Sequence, residues 1–182
     1  MEEQHSKTRE KMEHTIEALK KDLGSISTGR ATPKLLDTVK VEVYGSVMPL
    51  SQVATITTPD ATTISIQVWD KSTVQTVESA IINSNLGFNP MTDGQLLRIN
   101  VPKLSEERRR EFCKLAKKYG EDKKISIRNS RREALDNIKK IESEFSEDKV
   151  HDFQDKIQKL TDEYIGEIDN LINSKEKDIM TN

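Results

Sequence analysis

The chain of 182 residues has little of several things, and each shortage narrows what it can be. A single cysteine, Cys113, excludes an internal disulfide and a multi-cysteine zinc site, and a lone thiol fits a reducing compartment. Four Phe, three Tyr and one Trp are few for a deeply packed enzyme. No apolar run approaches the ~18 residues of a membrane span, so no membrane association is expected. The start, Met1-Glu2-Glu3-Gln4-His5, is acidic and polar, unlike a signal peptide or an organelle transit sequence. A cytoplasmic protein is the expectation. Gly24, Gly29, Gly45, Gly87, Gly94 and Gly120 never cluster into a phosphate-cradling loop. His5, His14 and His151 are scattered without paired ligand spacing, and Glu106-Glu107 is explained by helix-start electrostatics. No catalytic constellation, metal site or cofactor is therefore expected.

What the chain does have is charge. Asp, Glu, Lys and Arg make up 33% of it, and the mean hydropathy is −0.70, values that suit long exposed helices better than a thick globule. The net charge of −2 conceals a segregation. From Lys103 to Lys140 there are 14 Lys/Arg against 7 Asp/Glu, which leaves the remainder at −9. A whole-chain pI near 6.0 would mislead a search for a polyanion-binding surface.

Three segments have a helical period. Met12, Ile16, Leu19, Leu23 and Ile26 form a narrow seam on a helix expected from about Gln4 to Thr28, with Gly29 just past its end and Pro33 blocking continuation. Ser105 to Phe145 carries Phe112, Ala116, Tyr119, Ile127, Ser130, Ala134, Ile138 and Ile141 on one face. Ser105 reads as its cap, and about 40 helical residues would span roughly 60 Å. After a break near Ser146, Val150, Phe153, Ile157, Leu160, Tyr164, Ile168 and Leu171 form a third seam. None of these stripes can bury itself alone, so a three-helix bundle of antiparallel, coiled-coil-like helices is expected from residues 1–29 and 105–182.

Residues 30–104 read differently. Val39, Val41 and Val43 alternate with polar residues, Gly45-Ser46 suggests a tight turn, and Ala54–Thr58, Thr62–Trp69 and Leu96–Val101 read as strands. Trp69 is expected in core or hinge packing. Ser72 with Gln75 resembles a capping box that opens a short helix through Val74, Val77 and Ile81. The fold class is thus α+β, with a small β/α/β domain inserted between the first and second bundle helices. Two short tethers, Gly29-Arg30 and Val101-Pro102-Lys103, would restrict its motion to a hinge.

One stripe on the second long helix stands apart. Arg110, Lys114, Lys117, Glu121, Lys124, Arg128 and Arg131 step four, three, four, three, and six of the seven are cationic. Arginine concentrates at the ends, in Arg108-Arg109-Arg110 and in Arg128-Asn129-Ser130-Arg131-Arg132. Its planar fork suits phosphate oxygens. Interleaved aromatics for base stacking are missing, so a polyanion would be met through backbone and shape. A helical adaptor whose basic face binds an acidic protein partner is the alternative.

Several blocks carry a family resemblance: Ser27-Thr28-Gly29-Arg30-Ala31-Thr32-Pro33 with Leu35-Leu36-Asp37, Val41-Glu42-Val43-Tyr44-Gly45, Asn85-Leu86-Gly87-Phe88-Asn89-Pro90, Ser105-Glu106-Glu107-Arg108-Arg109 and Ile127-Arg128-Asn129-Ser130-Arg131-Arg132. In this order, across nearly the whole chain, they resemble the ribosome recycling factors. The resemblance implies a non-enzymatic, L-shaped translation factor, expected as a monomer, that binds the ribosome after termination. With elongation factor G, and with GTP hydrolysed by that partner, it would split the subunits. It also implies contacts to large-subunit rRNA from Arg109, Arg128, Arg131 and Arg132, with Arg30 at a hinge formed by Gly29, Arg30, Pro102 and Lys103. Lys117 and Lys124 are added from the stripe alone. Many family members have Arg where this chain has Ser27, which lowers the hinge charge.

Overall fold

The structure, a computed structural model, describes residues 1–181; Asn182, the last residue of the range expected for the bundle, lies outside them. The elements in order are α1 (Glu2–Gly24), β1 (Lys40–Val43), β2 (Ser46–Pro49), β3 (Ala54–Thr57), β4 (Thr63–Val68), α2 (Val74–Ile82), β5 (Met91–Asp93), β6 (Leu96–Asn100), α3 (Glu106–Lys139) and α4 (Glu147–Thr181). They fall into two compact units, Met1–Ser27 with Glu106–Thr181, and Thr28–Ser105.

In the first unit, α1, α3 and α4 pack as an antiparallel three-helix bundle around their apolar seams. Met12, Leu19, Ile127, Ile157, Ile168 and Ile179 are fully buried, and Ile16, Leu23, Leu160 and Ile172 nearly so. Each such side chain contributes about 1.5–3 kcal/mol relative to exposure. That burial, rather than helix propensity, stabilises a chain segment this rich in charge. A satellite cluster of Ala134, Ile138, Phe153 and Ile157 lies where α3 turns into α4.

Both expected helix ends on the bundle shift inward. α1 ends at Gly24 rather than Thr28, and Ile26 stays buried through a tightened turn in which its N–H donates to the Leu23 carbonyl. α3 stops at Lys139, short of Phe145. There the amides of Ile141, Glu144 and Phe145 each donate three residues back, to Ile138, Ile141 and Glu142, so the corner is built from tight turns.

Gly120 lets α3 lie close against α4. A Cβ on it would lie 2.7 Å from Ile172 Cγ1 and 3.0 Å from its Cδ1, so any side chain there would overlap the facing helix.

The second unit holds a hairpin, β1–β2, and an antiparallel sheet in the order β3-β4-β6-β5. Ile64, Ile66 and Val68 of β4 and Leu97 and Ile99 of β6 point inward, where α2 adds Val77 and Ile81. The hairpin turn is Tyr44-Gly45, one residue earlier than expected, with positive φ at both positions and Val43 paired to Ser46. Trp69 is not core: it is 57% exposed, and its indole N–H donates to Thr55 Oγ1 at 2.8 Å. The alternation that buries Ile64, Ile66 and Val68 requires this, because residue 69 has the outward parity. The expected capping box is also replaced. Asp70 accepts from the Ser72 amide (2.9 Å) and hydroxyl (2.8 Å) to start a short 3-10 turn, and α2 begins only at Val74. β5 was not expected; Met91, Thr92 and Asp93 pair with Arg98, Leu97 and Leu96. At Gly29, φ is +72°, and a Cβ would come within 3.1 Å of Leu104 Cγ, which brings the two tether segments side by side.

Candidate nucleic-acid interface on α3

The cationic residues of α3 do not form one uniform stripe. An inner row lies along α4. Arg109 Nη1 donates to the Met180 carbonyl at 3.4 Å, Lys117 pairs with Glu176 at 3.0 Å, Lys124 with Asp169 at 2.6 Å, and Arg131 Nη1 donates to Gln158 Oε1 at 2.7 Å. Numbers rise on α3 as they fall on α4, as antiparallel packing demands. Hydrogen bonding to Glu176 and to Asp169 raises the Lys117 and Lys124 ammonium groups above their ordinary values. Lys124 also reaches Glu121 at 3.1 Å and is largely covered.

The arginine clusters divide in the same way. Arg108 pairs with Glu111 at 2.8 Å and lies over the Phe112 ring, and Arg110 pairs with Glu106 at 2.6 Å. Among the described residues no carboxylate pairs with Arg109, Arg128, Arg131 or Arg132. Arg128 and Arg132 are exposed outright, while Arg109 and Arg131 are half-buried. The Nε atoms of Arg109 and Arg131 are buried without a partner. Leaving a buried donor unmet costs about 1–3 kcal/mol, so both side chains are held by their α4 contacts rather than saturated by them.

Among the arginines of α3, the four the resemblance singled out therefore keep an unneutralised charge, whereas Arg108 and Arg110 do not; Lys114, Lys118, Lys139 and Lys140 also lack a carboxylate partner among the described residues. Lys117 and Lys124, added from the stripe, carry their charge onto carboxylates of α4. Sequence reading missed Asp169, Glu176 and Gln158. A signal existed: Asp169 and Glu176 are seven residues apart, as are Lys117 and Lys124 on the facing helix. Arg30, Pro102 and Lys103 are exposed and Gly29 is buried, all in the second unit.

Cys113 is half-buried, and its thiol is pushed up by burial, then by Glu176, away from nucleophilic thiolate character. Among the described residues no helix is long and apolar enough to cross a membrane, and no group of three His, Cys, Asp or Glu side chains could hold a metal ion.

Fold and surface together define an α+β protein: a long three-helix bundle with a small β unit inserted after its first helix and unpaired arginines along its second. Comparison with known proteins gives this class a family. The ribosome recycling factor family model matches residues 19–180. The ribosome-recycling factor of Rickettsia peacockii (strain Rustic) is 51% identical over 100% of both chains, and that of Rickettsia bellii (strain OSU 85-389) is 53% identical over 94% of each. Among solved structures, the solution structure of a ribosome recycling factor is similar with a TM-score of 0.76 at 39% identity, covering 100% of this chain and 97% of that one. The T. thermophilus ribosome recycling factor, in models with E. coli elongation factor G bound to the E. coli post-termination complex, is 43% identical with a TM-score of 0.62 and 98% coverage of each chain. The chain belongs to the ribosome recycling factor family.

Proposed function

We propose that this protein recycles ribosomes after termination, binding the post-termination ribosome and splitting its subunits together with elongation factor G and GTP. It supplies no catalytic group and no cofactor; the GTP belongs to the partner. The bundle anchors on large-subunit rRNA through Arg109, Arg128, Arg131 and Arg132, with a smaller part for Lys117 and Lys124. Arg30 adds charge beside the Gly29 and Pro102-Lys103 tethers, about which the inserted β unit would pivot when the motor protein pushes it. The protein acts as a monomer in the cytoplasm.

The observation that carries this reading, beyond family membership, is the charge sorting on α3. A merely solvated helix face balances its cations with neighbouring acids, as Arg108 and Arg110 do. The arginines left unbalanced, Arg109, Arg128, Arg131 and Arg132, keep their planar donor forks available for phosphate.

The test is ribosome co-sedimentation of Arg131→Glu against the unsubstituted protein over a range of salt. The substitution is expected to weaken binding while helix content stays unchanged, and log affinity should fall linearly with log salt as phosphate contacts release counterions. Unchanged affinity at moderate salt would contradict the rRNA assignment. Loss of the association on RNase treatment distinguishes RNA from an acidic protein partner.

A further inference from the structure

We propose that Gln158, oriented by Asp162, is the positioning residue that holds the Arg131 guanidinium in place without neutralising it; this rests on the rRNA reading above. Four α4 groups face the inner cationic row. Two are carboxylates, Asp169 and Glu176, and each takes a lysine into an ion pair. Met180 offers only its backbone carbonyl to Arg109. Gln158 is the one neutral side chain in the series, and it meets Arg131 at 2.7 Å, the shortest contact either arginine makes.

The amide of Gln158 is not free to turn. Its Nε2 donates to Asp162 Oδ1 at 2.9 Å, one helical turn on, so Oε1 must face Arg131. Only this orientation satisfies both neighbours, because a carboxylate accepts and a guanidinium donates. The amide thus stands between Asp162 and Arg131 as a neutral spacer. It relays the fixing effect of the acid and keeps its charge from pairing with the arginine. It takes one guanidinium donor, and the rest of the Nη edge stays uncommitted for a phosphate. Among the described residues Gln158 is the one hydrogen-bond partner of the Arg131 guanidinium, whose Nε is buried without any.

The experiment measures ribosome binding against salt for Gln158→Glu, Gln158→Leu and Arg131→Ala, and for Gln158→Glu combined with Arg131→Ala. Gln158→Glu gives Arg131 an acid and is expected to weaken binding about tenfold and flatten the log–log salt slope by about one. In the Arg131→Ala background the same change should cost nothing further. Gln158→Leu keeps the charge and drops the tether, so affinity should fall at an unchanged slope. A structural role for Gln158 would not move the slope or vanish with Arg131. If Arg131→Ala weakens binding but Gln158→Glu leaves affinity and slope unchanged, the positioning role is overturned and the rRNA reading stands. No loss in Gln158→Leu overturns the tether in the same way. If Arg131→Ala itself has no effect, the rRNA reading falls, and the inference with it.

Discussion

Replacing Gly120 by alanine should destabilise the bundle, although alanine is the better helix former. The propensity gain for a helix interior is about 1 kcal/mol. Against it stands the new Cβ, 2.7 Å from Ile172 Cγ1. Cγ1 is not the flexible end of that side chain, and a β-branched residue in a helix has little χ1 freedom to move away. Overpacking of this kind costs about 1–3 kcal/mol, so a net loss of about 1 kcal/mol is expected. The sign should reverse once Ile172 is truncated. In an Ile172→Ala background both close atoms are gone, and the next neighbour, Ile168 Cγ2, lies at 3.7 Å, an ordinary contact. There Gly120→Ala should stabilise by about 1 kcal/mol, a coupling of about 2 kcal/mol between the sites. Urea denaturation read by helical circular dichroism measures the bundle, while fluorescence of Trp69, the single tryptophan, reports the β unit and should keep its midpoint. A Gly120→Ala change that stabilises equally in both backgrounds would refute the close approach of α3 to α4.

Two further outcomes follow from side-chain pairs on the bundle. Asp169→Asn with Glu176→Gln should release Lys117 and leave Lys124 on Glu121 alone, tightening ribosome binding several-fold and steepening the salt slope by about one; co-sedimentation checks it, and weaker binding would show that these acids do not mask the lysines. Tyr164, whose hydroxyl donates to Glu13 at 3.2 Å, has its phenol pushed up from 10.0 to about 12 by burial and then by Glu13. The folded state therefore favours the neutral phenol, and this contribution is full below pH 10 and lost as pH rises toward 12. Tyr164→Phe should lose less stability than the unsubstituted protein between those values, measured by urea midpoints at each pH, whereas an identical decline in both would sink the assignment.

The seams of the bundle were legible because each is narrow and regular: Met12, Ile16, Leu19, Leu23 and Ile26 are all buried as their spacing requires. Other features depend on what lies across from them. β5 has three exposed residues and exists only because β6 pairs with it, so no pattern within Met91–Asp93 could announce it. Trp69 was expected in core or hinge packing; its place in the core is what the structure overturns, and the parity of β4 already turned it outward. On α3 the cationic period was visible, but which cations are free depends on the register against α4, a tertiary fact. That register ties Lys117 and Lys124 to acids and leaves Arg131 on a neutral amide. The closeness at Gly120 is hidden in the same way, since a lone helical glycine carries no sign of what faces it.

On the function proposed above, this chain splits ribosomes through arginines on α3 and needs a GTP-hydrolysing partner to do so. The most direct measurement is light scattering of purified post-termination ribosomes mixed with this protein, elongation factor G and GTP. Dissociation into subunits is expected only when all three are present, with a much slower signal for Arg131→Glu. Splitting that proceeds without this protein, or at full rate with Arg131→Glu, would contradict the proposed function.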